Sequence, residues 1–246
     1  MRAALLWILL LGTAAVGGAR AASAPWKDGE RLKYEIYWGV VIAAEAESRV
    51  VREGGYWKAG LELKTVGMVE AFFPMKSSFK GVFGVQTLRA RRFEAERQEN
   101  KNRRSQLILM NPEAKSAAYT DRVSGETVRF ALPDEDTQTL LSLLYAARTV
   151  PWARGVERTW DVCDRDRLKR VKARCVGEET RFAGKGVKSP KLLVLEAEET
   201  ANAAGREPNR PLRAKIWVNP QGMVPEAVDL QFIYGTFNLR RVPQRS

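Results

Sequence analysis

The chain has 246 residues, with 41 Lys and Arg against 29 Asp and Glu and no histidine, so its net charge at pH 7 is +12. The missing histidine excludes a Ser-His-Asp or Cys-His mechanism and the usual His-containing zinc sites, and it leaves acid–base work to Asp, Glu, Lys or Tyr. With 45% apolar and 28% charged residues the composition is globular, and the length suits one large all-β domain.

Arg2, the apolar run Ala3 to Leu11, and the small residues Ala19 and Ala21 follow the order of a secretory leader, residues 1–21. The run is shorter than the roughly 20 apolar residues of a bilayer-spanning helix. No Cys follows it to carry a lipid. The alternative is a short anchor that stays uncut. Cleavage also removes Arg2 and Arg20, leaving a charge of about +10 on a single all-β domain over 25–243 with no transmembrane segment. Outside the cytosol, that charge points to anionic lipid, acidic glycan or an acidic partner protein and not to nucleic acid. The plainer alternative is an Arg-rich solvated surface.

From Leu32 onward most of the chain alternates with period two, the mark of half-buried strands. Leu32, Tyr34, Ile36 and Trp38 alternate with Lys33, Glu35 and Tyr37; Ile42 to Val50 and Trp57 to Lys64 repeat the pattern around the turn Gly54-Gly55. Val66 to Pro74 breaks it and reads as a loop or one helical turn capping the sheet edge or a barrel mouth. Within it, Phe72 and Phe73 read as plugs of the core, with a lid over a ligand as the alternative. Strands resume over 77–82, 87–98, 105–111, 115–122 and 126–132.

A helix is expected near residues 137–148, N-capped by Asp136, with Leu140, Leu141, Leu143, Leu144 and Ala147 as its apolar stripe and Arg148 complementing its dipole. Further strands are expected at 157–164, 168–178, 192–199, 213–218, 223–230 and 235–242, with a connector at 184–190 and a polar loop at 201–211. Antiparallel strands in series around one helix predict a mainly β fold, a single strongly curved antiparallel sheet in the form of an open barrel or β-roll.

An even cysteine count in an oxidising compartment suggests a Cys163–Cys175 bridge. Two registers stay open. A turn centred near Lys169 sets the two cysteines across from each other, whereas a tight turn at Arg165-Asp166 opposes Cys163 to Leu168 and forbids the bond.

The candidate ligand residues are Arg89, Arg91, Arg97, Tyr145, Arg148 and Glu178. As a strand, Arg89, Arg91, Phe93 and Arg97 share one face and could hold phosphate, sulfate or uronate; the alternative is an outer face laced with ion pairs. Tyr145 and Arg148 neighbour each other on the helix. With Glu178 or Glu179 they form either a polar ligand site or a buried network locking helix to sheet. Trp38, Trp57 and Trp217 read as core, and Trp26 and Trp152, in loops, as freer to meet a ligand. Glu45, Glu47, Glu178 and Glu179 are the carboxylates available to a His-free hydrolase. No catalytic residue, metal or cofactor is assigned.

Several segments together resemble an uncharacterised family of exported bacterial proteins, domain-of-unknown-function family 3108. These are Asp28-Gly29-Glu30-Arg31-Leu32-Lys33-Tyr34 with Trp38-Gly39, the helix with Tyr145 and Arg148, Ile216-Trp217-Val218, Met223-Val224-Pro225 and Gly235-Thr236-Phe237. Ala44 stands where the family usually has Gly. The resemblance implies a curved all-β fold in the cell envelope and no reaction. The expectation is a periplasmic, non-enzymatic protein that binds an envelope component. A structural adaptor working through a flat interface and a carboxylate hydrolase are the alternatives.

Overall fold

Alternation of apolar and charged residues becomes alternation of faces along β1 and much of the first half of the computed structural model, which describes residues 24–180, 191–202, 212–232 and 235–243. A first meander contains β1 (Arg31–Trp38), β2 (Val41–Glu53), β3 (Tyr56–Thr65), β4 (Met75–Gly84), β5 (Ala90–Glu99), β6 (Asn102–Asn111), β7 (Ser116–Asp121) and β8 (Thr127–Ala131), with the short helix α1 (Gly67–Phe72) between β3 and β4. Helix α2 (Leu140–Arg148) comes next. The second meander contains β9 (Glu157–Asp164), β10 (Arg167–Thr180), β11 (Lys191–Asn202), β12 (Arg213–Asn219), β13 (Val224–Phe232) and β14 (Gly235–Val242). The leader, the 184–190 connector and residues 203–211 of the polar loop lie outside the described residues.

β14 returns to pair with β1, Ile36 opposite Leu239, and this joins the meanders into one antiparallel sheet of fourteen strands. The strand pattern predicted a single curved antiparallel sheet and left open whether it closes; among the described residues β8 and β9 end the strand order and do not pair with each other, so the sheet curls without closing. Along the concave face Val50, Ala59, Gly81, Phe93 and Ile108 are successive cross-strand partners. They share a core with Leu141 and Tyr145 of α2 and with Cys163 of β9. A second core joins Trp152, Cys175, Leu195 and Val218. β11 is buried on both faces, since Leu192 and Val194 belong to a further cluster with Trp217.

Gly81 lets α2 approach the sheet closely. A Cβ there would lie 3.0 Å from the Cβ of Leu141, an atom that moves only if the helix moves. Gly81→Ala is therefore expected to destabilise by about 1–3 kcal/mol through overpacking, read as a lower urea midpoint, although alanine is the better strand residue.

Five expectations need correction. The helix begins at Leu140, not Thr137, because Thr137, Gln138 and Thr139 are buried in an extended stretch beside β9, where Gln138 gives its N–H to the Asp161 carbonyl and takes the Cys163 N–H. Thr139 is the N-cap, and its N–H donates to the Ser142 hydroxyl at 2.8 Å. The buried helix face is Leu141, Ser142, Tyr145, Ala146 and Arg148, while Leu140 and Leu144 are exposed.

Phe72 and Phe73 do not plug the core: both are exposed, and α1 buries none of its residues. Among the tryptophans, Trp57 and Trp217 are core as expected, but Trp38 is exposed, and the loop residues Trp26 and Trp152 are buried.

The tight turn at Arg165-Asp166 sets Cys163 opposite Leu168, and Cys175 lies in the other core. Both cysteines are free and buried, so the suggested bridge is not formed. Burial, then Asp164 and Asp166, pushes the Cys163 thiol up to about 12. Native protein should show no rapid thiol reaction at neutral pH, and denatured, non-reduced protein should titrate two thiols.

Candidate functional site

The strongest polar cluster lies where the beginning of the chain, the helix and the second meander meet. Arg148, in the last turn of α2, is 7% exposed. Its two terminal nitrogens donate to both carboxylate oxygens of Glu30 at 2.6 and 3.0 Å, and one also donates to the Gly222 carbonyl at 2.9 Å. Its guanidinium carbon lies 5.3 Å from the Trp26 ring centre and 5.7 Å from that of Tyr145. Trp26 packs edge-on against Trp57 and Tyr145, and Tyr145 stacks on Phe83.

Close by, Tyr34 donates to the Pro225 carbonyl at 3.1 Å. Burial raises the hydroxyls of both tyrosines well above the ordinary tyrosine range, with Arg148 partly opposing the shift. Neither becomes a base. The bidentate geometry pairs the buried cation through its two terminal nitrogens, leaves its Nε without an acceptor among the described residues, and ties three distant segments together as a lock.

Tyr145 and Arg148 are thus brought together, but Glu178 is not with them: it sits at the end of β10, 3.8 Å from Lys191. Glu179 instead accepts from Trp217 Nε1 at 2.8 Å and from Lys215 at 2.9 Å. The residue that completes the network is Glu30, which side-chain type alone did not single out. The available signal was its place in the opening segment of the family resemblance. Gly222 borders Met223-Val224-Pro225, Pro225 accepts from Tyr34, and Trp38 stacks on Phe237 at 6.4 Å. Segments carrying the resemblance therefore meet one another along the line where the chain's two halves join.

The three arginines of the Arg-rich segment do not converge. Arg89 pairs with Glu135 and Asp136, Arg91 makes a two-pronged pair with Glu113, and Arg97, at the far end of β5, donates to Glu99 at 3.2 Å. A bulge opposite Val82 and Phe83 takes Arg89 and Arg91 out of phase with Phe93. Arg91 holds the Glu113 carboxyl below the usual range. Burial acts to raise Glu94, but Arg92 and Arg122 hold it low.

Glu45 and Glu47 alternate with buried Ala44 and Ala46, so they lie on the outer face, beside Lys64 and beside Arg31 and Lys33. They do not face Glu178 or Glu179 across a cleft. Among the described residues no group of three or more His, Cys, Asp or Glu is placed to hold a metal. An open polar groove of about 490 Å³ crosses β9 to β13, lined by residues that include the ion pairs Lys172–Glu157 and Arg213–Glu198. A second, of about 290 Å³, lies between Lys76, Glu96, Arg97 and Arg103.

A sequence model of the family described as Protein of unknown function (DUF3108) matches residues 33–241. No curated protein matches the chain significantly. Among solved structures, a β-barrel-like protein of domain of unknown function DUF1849 from Brucella abortus superposes with a TM-score of 0.54 at 8% identity, covering 86% of this chain and 94% of that one. A DUF1089 family protein from Pseudomonas aeruginosa gives 0.40 at 13% identity, with 76% and 90% covered. The first likeness is one of fold alone.

Proposed function

The chain belongs to the family described as Protein of unknown function (DUF3108), and from that premise we propose that it is an exported protein of the cell envelope that binds an envelope component on the outside of its curled sheet. The carrying observation is the filled interior. Tyr145 and Leu141 of α2 pack with Trp26, Phe83, Phe93 and Ile108 where a ligand cavity would otherwise open. Recognition then falls to the outer faces and the poles of the sheet, and the net positive charge favours anionic lipid, acidic glycan or an acidic protein. The leader pattern supports export.

The test is to express the full chain with its own leader in a Gram-negative host and sequence the N-terminus of the protein in each fraction. A periplasmic product beginning at Ala22 is expected. An unprocessed chain resident in the cytoplasm overturns the reading.

A second reading, that of an adaptor, is favoured by one feature. Among the described residues β8 ends the sheet with one edge unpaired, which is where an extended segment of a partner protein could add a strand. A pull-down from envelope extract that returns protein and neither lipid nor glycan selects this reading.

A further inference from the structure

We propose that one pole of the curled sheet docks on an anionic lipid bilayer. This deepens the envelope reading by naming the partner and the place of contact.

Three connections meet at that pole. The β1–β2 tip lies beside α1, because the Val66 N–H donates to the Ala43 carbonyl at 3.1 Å. The segment after α1 is fixed by Thr65, whose hydroxyl donates to the Phe73 carbonyl at 3.1 Å and accepts from the Met75 N–H at 2.9 Å. The β5–β6 tip joins them through the Asn100 N–H, which donates to the Pro74 carbonyl at 3.0 Å.

The first two connections present Trp38, Val40, Val41, Met68, Phe72 and Phe73 to solvent. Val40 is 95% exposed, Phe72 83% and Met68 71%. An apolar helical turn that buries none of its own residues contributes nothing to the core. Apolar surface gathered on several protruding tips marks a contact site.

Charge selects the occupant. Lys76, Lys101 and Arg104 flank these tips from β4 and the β5–β6 hairpin, and among the described residues none of them has an ion-pair partner. Arg103 is 4.0 Å from Glu96. Glu70 is the acidic residue of α1, and Glu99 is occupied by Arg97. Apolar tips that enter the acyl boundary beside cations that meet head groups are the two ingredients of interfacial binding to anionic membranes. A symmetric contact with a second copy would bring the same cations face to face. The first described residues lie at the other pole, where the Arg52 N–H donates to Asp28 at 2.7 Å.

The test uses the chain beginning at Ala22 in co-sedimentation with neutral phosphatidylcholine vesicles and with vesicles containing about 30% phosphatidylglycerol. Binding to the anionic vesicles is expected to be at least about tenfold tighter and to weaken with salt. Phe72→Asp and Val40→Asp should each lower it by about tenfold with unchanged melting temperature, because both positions are exposed. Lys76→Glu with Lys101→Glu should abolish the preference for anionic lipid. The proposal is overturned by equal binding to both vesicles, by anionic binding that survives both aspartate variants, or by a dimer that Phe72→Asp dissociates in a protein that ignores vesicles. Failure here leaves export and processing untouched; a cytoplasmic, unprocessed chain that still binds vesicles loses the envelope reading and keeps the pole.

Discussion

Arg148→Ala lowers the unfolding free energy by about 3–5 kcal/mol, the cost of removing one partner from a buried ion pair and leaving the other uncompensated. Glu30 then loses both guanidinium donors, and the Gly222 carbonyl loses its donor. Glu30→Gln is expected to cost less, since the amide still accepts from one guanidinium nitrogen. The joint replacement Glu30→Leu with Arg148→Met should recover most of the loss, because a well-packed apolar pair can replace a buried salt bridge almost neutrally. Equilibrium urea unfolding of the four proteins, including wild type, checks this. Equal losses in Arg148→Ala and in the joint variant would mean that the charged, hydrogen-bonded pair itself, and not packing by a long side chain, is what α2 needs. Binding to an envelope component should survive in every variant that folds, because the network lies inside the molecule.

Trp26→Ala is expected to cost about 3–5 kcal/mol, as for other fully packed tryptophans. Trp26 is 4% exposed and touches Trp57, Tyr145 and Arg148, so its loss opens a cavity between the first residues of the domain and the helix. The two substitutions should not add. A double-mutant cycle between Trp26→Ala and Arg148→Ala should show a coupling of about 0.5–2 kcal/mol, the size of a desolvated cation–π contact. Additive losses would mean that the 5.3 Å approach of guanidinium to indole carries no energy of its own.

How far the fold could be read ahead is clearest at particular strands. Glu157–Asp164 and Gly235–Val242 were legible to the residue, because alternation along a strand is written in consecutive positions. The start of α2 was not. Thr137 to Thr139 suit a first helical turn by type, but they are drawn into the edge of β9, a neighbour that arrives later in the chain. The buried face of α2 was also misplaced, because leucines outrank arginine in any apolar stripe. Arg148 goes inside only because Glu30 reaches it from 118 residues away.

The candidate site was legible in part. Tyr145 and Arg148 belong together, as their helical spacing implied, and a lock between helix and sheet was one of two readings open to them. Glu178 was singled out by sign of charge alone, and the strand that carries it leads elsewhere. Arg89, Arg91 and Arg97 lie on one face only if β5 runs without interruption, and a single extra residue in its ladder separates them. Trp38 and Trp57 share an apolar phase, yet one is exposed and the other buried. Phase names the face of a sheet and says nothing about distance from its end.

Residue order alone determined that this protein is a succession of antiparallel strands with a helix packed between two groups of them, and that histidine chemistry is closed to it. These rest on composition and on periodicities shorter than ten residues. Tertiary structure alone decided that β14 returns to β1, that the interior is filled, that the cysteines stay apart, and that aromatic residues resembling core stand bare at one pole. Each depends on which distant segments become neighbours, and that choice minimises the free energy of the whole sheet, not of any window within it.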